Sequence, residues 1–63
     1  MAIAERLYRI SFVAQRLGIS RRSVYNRIAK GTVEVVKLSK RSWRIPETFL
    51  RKWLGEYFEP LFR

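Results

Sequence analysis

Between Ser20 and Gly31 the chain carries Arg21, Arg22, Ser23, Tyr25, Asn26, Arg27 and Lys30, with no acid among them. An Arg guanidinium can pair bidentately with a guanine edge, and an Asn amide with an adenine edge. Ser, Tyr and further cations suit the oxygens of a phosphate backbone. These residue types point to recognition chemistry rather than to bond making. Catalysis finds little to work with. The chain has no His, no Cys and no Asp, and its five Glu are scattered. No general acid–base couple can be assembled from them, and the usual zinc ligands are missing. The expectation is a protein that is not an enzyme, with no cofactor and no metal.

Charge supports the same reading. The formal net charge is +9 on 63 residues. From Arg6 to Arg44 there are eleven basic residues and a single acid, Glu34; the other acids, Glu5, Glu47, Glu56 and Glu59, lie near the ends. Ordinary solvent-facing surfaces mix signs and gain from paired charges one turn apart. One-signed charge over the middle of a folded domain costs self-repulsion, so a polyanionic partner explains it better than solubility does. Nucleic acid leads.

The recognition residues need a scaffold. Val13, Leu17, Ile19, Val24 and Ile28 fall where two short helices joined at Gly18 would bury their inner faces, with small Ala14 at the crossing. Ser11 is the expected cap of the first helix, from about Phe12 to Leu17. Gly18 supplies the left-handed backbone that ends it. Ser20 caps the second helix, which runs to Lys30 and stops at Gly31. With Val24 and Ile28 inward, helical periodicity turns Asn26 outward. Arg22 and Lys30 share its stripe, Ser23 lies beside it, and Tyr25 and Arg27 occupy the flanks. Tyr25 either joins that face or packs across the helix. Arg16 reads as solvated, and Arg6 and Arg9 touch phosphate or nothing.

Further on, the period changes. Apolar and basic residues alternate in Val36-Lys37-Leu38 and in Trp43-Arg44-Ile45, a strand signature. Ser39-Lys40-Arg41-Ser42 between them reads as a hairpin loop. The alternation assigns Val36, Leu38, Trp43 and Ile45 to the core face, and Lys37 and Arg44 outward. With Lys40 and Arg41 at the tip, the hairpin is a basic wing. Pro46 opens a third helix, which carries Glu47 in its first turn and a stripe of Phe49, Leu50, Trp53 and Leu54. Trp43 and Trp53 are expected in the core rather than on a stacking platform for single strands. Residues 1–9 are a short lead-in. Gly55 ends the third helix, or else Tyr57 and Phe58 extend its stripe. Tyr57, Phe58, Leu61 and Phe62 are surplus apolar surface. They either fold back on the first helix or offer a contact to a second copy or another protein.

The fold class expected is mainly α with a small β-hairpin: three helices and a two-stranded wing in one domain over 1–63, its core at 8–54 and an aromatic tail at 55–63. The residues that carry this pattern also resemble a known family. Tyr8-Arg9-Ile10-Ser11, Val13-Ala14, Leu17-Gly18-Ile19-Ser20-Arg21-Arg22-Ser23-Val24-Tyr25, Trp43-Arg44-Ile45-Pro46 and Leu50-Arg51-Lys52-Trp53-Leu54 are similar to the excisionase-family DNA-binding domains, relatives of the winged-helix heads of MerR-type regulators. The resemblance implies a reading helix from Arg21 to Lys30 in the major groove. It implies a wing from Lys37 to Arg44 on phosphates or the adjacent minor groove. Such domains commonly act as recombination directionality factors that bind side by side near attachment sites, bend the DNA and assist integrase. Others repress or activate transcription. The family's loop is usually a residue shorter and carries a glycine, and its residue at the position of Phe12 is usually acidic.

The expected partner is therefore double-stranded DNA, with integrase or further copies of the chain on adjacent sites, and no small-molecule substrate. An adaptor recruiting integrase or polymerase through the tail is the competing class. Charge-only binding of RNA or of an anionic membrane is a third. A membrane helix would gather cations and aromatics on one face, whereas here they sit on different elements. Met1 to Leu7 lack the apolar run of a signal peptide, and no stretch approaches membrane-spanning length. A soluble, cytoplasmic protein is expected.

Overall fold

Tyr8 and Ile45 are cross-strand partners, and this pairing draws the beginning of the chain into the fold. The computed structural model describes residues 5–62. Strand β1 (Leu7–Arg9) leads directly into helix α1 (Ile10–Leu17), followed by α2 (Arg21–Ala29). Strands β2 (Val36–Lys37) and β3 (Trp43–Pro46) form the hairpin, and α3 (Glu47–Leu54) follows without a break. A 3-10 turn (Gly55–Tyr57) then leads to a short α4 (Phe58–Phe62). The sheet is antiparallel in the order β1-β3-β2. Among the described residues the fold is mostly helical, three helices with a small three-stranded sheet as in a winged helix-turn-helix, closed by the short α4.

Residues 7–9 are thus a strand, not a lead-in; residues 1–4 lie outside the described residues. No local pattern in three residues can announce an edge strand whose partner is nearly forty positions away. The strand also moves the start of α1. Arg9, still extended at φ −68° and ψ 147°, takes the cap position and contributes no side-chain hydrogen bond. Ser11 therefore lies inside the first turn and does not cap. Burial of Ile10 sets this start in place of capping chemistry.

The hairpin departs from its expected register by one residue. Lys37 lies opposite Trp43 and Val36 opposite Arg44, and the Leu38 N–H donates to the Ser42 carbonyl at 2.8 Å. A one-residue shift exchanges faces. Lys37 accordingly shares a face with Trp43 and Ile45, while Arg44 shares the opposite one with Val36. Leu38, expected inward, is 54% exposed in the turn. Ser39 shapes that turn, its hydroxyl accepting from the Arg41 and Ser42 N–H groups at 3.4 and 3.2 Å.

Val13, Val24, Ile45 and Leu50 are the fully buried centre, one from each of α1, α2, β3 and α3. Burying a side chain of this kind is worth about 1.5–3 kcal/mol, so each matters in a chain this short. The tail completes the core. Phe58 and Phe62 are buried and stack at 5.3 Å, and Phe62 meets Tyr8 at 5.3 Å and Phe12 at 6.0 Å. The fold-back is what occurs. Phe58 and Phe62 are not a free contact surface, Leu61 is half-buried, and Tyr57 alone of the four stands out, 63% exposed. The position of Phe12, usually acidic in the resembling family, here supplies a ring stacked on Tyr8 at 5.8 Å.

Helix α3 starts at Glu47, one residue beyond the Pro46 start expected, because Pro46 still belongs to β3 and serves as the cap residue. The cap comes from afar: the Glu5 carboxylate accepts from the Thr48 N–H at 3.2 Å and from its hydroxyl. Glu47 accepts from Arg51 Nε at 3.2 Å and from the Tyr8 hydroxyl at 3.2 Å. The Arg51 hydrogen bond holds the Glu47 carboxyl below its ordinary 4.5 against the opposing desolvation, with the Tyr8 hydrogen bond assisting. Burial, then the Glu47 carboxylate, push the Tyr8 phenol up from its ordinary 10.0.

Truncation of Phe62 to Ala should cost about 3–5 kcal/mol and remove most of the cooperative melt, checked by circular dichroism. Because Glu47 is depressed in the folded state, its contribution is present above 4.5 and lost as pH falls through the lower folded value. The melting temperature should therefore decline on acidification below 4.5, and Glu47→Gln should flatten that part of the profile.

Candidate nucleic-acid interface

The Ser20 cap starts α2: its Oγ accepts from the Ser23 N–H at 3.1 Å. Gly18, at φ +71°, turns the chain between the helices through a conformation that side-chain-bearing residues rarely take. Val24, 0% exposed, and half-buried Ile28 then pin α2 to the body. The face left outward is the one with recognition chemistry. Arg21, Arg22, Tyr25, Asn26, Arg27 and Lys30 are all exposed. A helix with its side chains, about 10–12 Å across, fits a major groove about 12 Å wide, and α2 presents this face over its nine residues.

Two open clefts, each of about 330 Å³, flank this helix. One brings Ser23, Asn26, Arg27 and Lys30 together with Thr32. The other lies toward the hairpin, where Arg21 and Tyr25 meet Arg41, Trp43, Arg44 and, from β1, Arg9. Arg22 stands on the exposed face outside both. Ser23 is only half exposed, and its hydroxyl lies 3.1 Å from that of Ser20, so capping already engages it. Arg27 leans back, its guanidinium 6.0 Å from the Trp53 ring on α3.

Trp43 fixes the wing relative to α2. Its ring lies 5.8 Å from that of Tyr25 and carries the Lys37 ammonium at 4.7 Å. Tyr25 meets both descriptions open to it: it packs against Trp43 yet stays 43% exposed. Lys37 points across Trp43 rather than away from the core side, and Arg44 is half-buried, its Nη1 donating to the Trp43 carbonyl at 3.0 Å. Both had been expected outward on one face; the shifted register separates them. Lys40 and Arg41 are exposed in the turn, as the basic tip requires. Thr32 was not among the expected contacts, and Arg9, expected to touch phosphate or nothing, lines the cleft toward the hairpin. Nothing local in Leu7-Tyr8-Arg9 marks Arg9 as a cleft residue; pairing of β1 with β3 brings it there.

Among the described residues no group of three His, Cys, Asp or Glu could hold a metal ion, and no helix is long and apolar enough to cross a membrane. Replacing Ser20 with Ala should cost about 1 kcal/mol of stability and fray the start of α2, readable as faster amide exchange at Arg22 and Ser23.

No curated protein and no solved structure matches the chain. A family model described as a helix-turn-helix domain matches residues 7–57, which span β1, the α1–α2 pair, the hairpin and α3. With the match extending over four-fifths of its length, the chain belongs to the helix-turn-helix domain family, whose members bind DNA.

Proposed function

We propose that the protein is a sequence-specific binder of double-stranded DNA that acts architecturally, as a small excisionase-like recombination directionality factor. Helix α2 enters the major groove, with Arg22 and Asn26 at base edges and Arg21, Tyr25, Arg27 and Lys30 at its margins. The wing supplies Lys37, Lys40, Arg41 and Arg44 to the backbone or the neighbouring minor groove. The observation that carries this reading is an exposed, acid-free face on the second helix of a helix-turn-helix, flanked by two cationic clefts. Acid-free faces favour polyanions, and Arg and Asn at a helix surface are the side chains that distinguish guanine and adenine. The excisionase-like role rests on the resemblance in Trp43-Arg44-Ile45-Pro46 and the helix after it. Regulation of transcription by the same contacts is the alternative output. The adaptor reading loses support, because Phe58 and Phe62 are committed to the core.

Selection from a random duplex library, followed across salt concentrations, tests the reading. Enrichment of a short motif, especially as direct repeats, is expected; affinity that only collapses with salt would overturn it. On the selected site, Asn26→Ala or Arg22→Ala should cost about 1–3 kcal/mol and relax the preference, whereas Lys40→Ala should weaken all duplexes alike. Equal weakening of every duplex by Asn26→Ala would remove α2 from base reading.

A further inference from the structure

The antiparallel register sets Arg9 of β1 directly opposite Arg44 of β3. Like charges so placed destabilise a sheet. No compensation is in reach: among the described residues the ion pairs all involve Arg51, with Glu47 and Glu59. Arg21 from the start of α2 and Arg41 from the turn border the same cleft, beside Tyr25 and Trp43. Four arginines from separate elements thus converge on about 330 Å³ without an acid.

We propose that this cleft seats one phosphodiester of the DNA backbone, the strand passing between α2 and the wing, with Arg9 as a contact contributed by β1. The inference rests on the duplex-binding reading above, because it places the seat beside the base-reading helix. Four positive side chains around one anion exchange mutual repulsion for charge-assisted hydrogen bonds, which are about twice as strong as neutral ones. Guanidinium forks match phosphate oxygens in pairs. The seat carries no sequence information. It sets how α2 lies in the groove, so its loss should weaken cognate and random duplexes by the same factor.

Arg9 is the cleaner position to change, since it is exposed while Arg44 also bonds to the Trp43 carbonyl. Arg9→Gln is expected to melt no lower than the wild type without DNA, because it removes half of a repulsive pair. It should weaken duplex binding about ten- to a hundred-fold, as loss of a charged hydrogen-bond partner does. The logarithmic salt slope should become shallower by about 1. A scan of single methylphosphonates along the selected duplex should find one phosphate whose neutralisation weakens the wild type but barely affects Arg9→Gln. Arg41→Gln, in the exposed turn, gives the same readout should Arg9→Gln fail to fold.

Sequence-selective binding by the wild type with affinity, salt slope and methylphosphonate profile unchanged in both variants would overturn the seat and leave the duplex-binding reading standing. Absence of any sequence preference in the wild type would overturn both. Stabilisation by millimolar inorganic phosphate that both variants abolish, with duplex affinity unchanged, would assign the cleft to a free anion and overturn the backbone seat.

Discussion

Strand β3 has a neighbour on each side, and its four residues must satisfy both registers at once. On the β1 side, Tyr8 against Ile45 carries the beginning of the chain beneath the aromatic tail, where Tyr8 meets Phe12, Phe58 and Phe62. On the β2 side, Lys37 against Trp43 fixes which cations face which way. Because side chains alternate, a slip of one residue on either side would exchange core and surface along the whole strand. The neighbouring elements inherit this constraint: α1 starts where β1 ends, and α3 starts where β3 ends.

Trp43 is where the constraint becomes functional. It lies between α2 and the wing, with Tyr25 on one side and Lys37 over its ring. Among the described residues its indole N–H has no hydrogen-bond partner. The contacts it shows are made through its ring, with Tyr25 and Lys37. Under the proposed binding mode, α2 and the hairpin must keep a fixed separation to engage one duplex together. A rigid ring held between them sets that separation.

The cations are not only an electrostatic surface. Arg16 lies over Phe12 at 5.0 Å and Arg51 over Phe58 at 4.4 Å, so charged groups cover the rings that close the core. Long basic side chains can shield apolar surface while their charge stays in water. A chain of this size has too little interior to hide nine aromatic residues fully. The positive charge needed for a polyanionic partner thus also helps to keep those rings from water.

The two-helix unit was legible in the residues because its determinants are local. A glycine at 18, a serine cap at 20 and inward Val24 and Ile28 act within one or two turns, and the outward face of α2 follows from helical periodicity. The basic character of the hairpin and the core position of Ile45 were readable for the same reason. Three things were settled only by tertiary structure. Residues 7–9 became a strand because a distant strand needed an edge partner; alone, three residues carry no period. The hairpin register followed from a five-residue connection beginning at Leu38, which alternation cannot reveal because either register gives the same string. The tail could fold back or stay outward on composition alone, and the apolar site formed by Tyr8 and Phe12 decided between them. Local chemistry determined α2 and its outward cationic face, whereas the cleft of four arginines exists only because elements far apart in the chain were brought to one place.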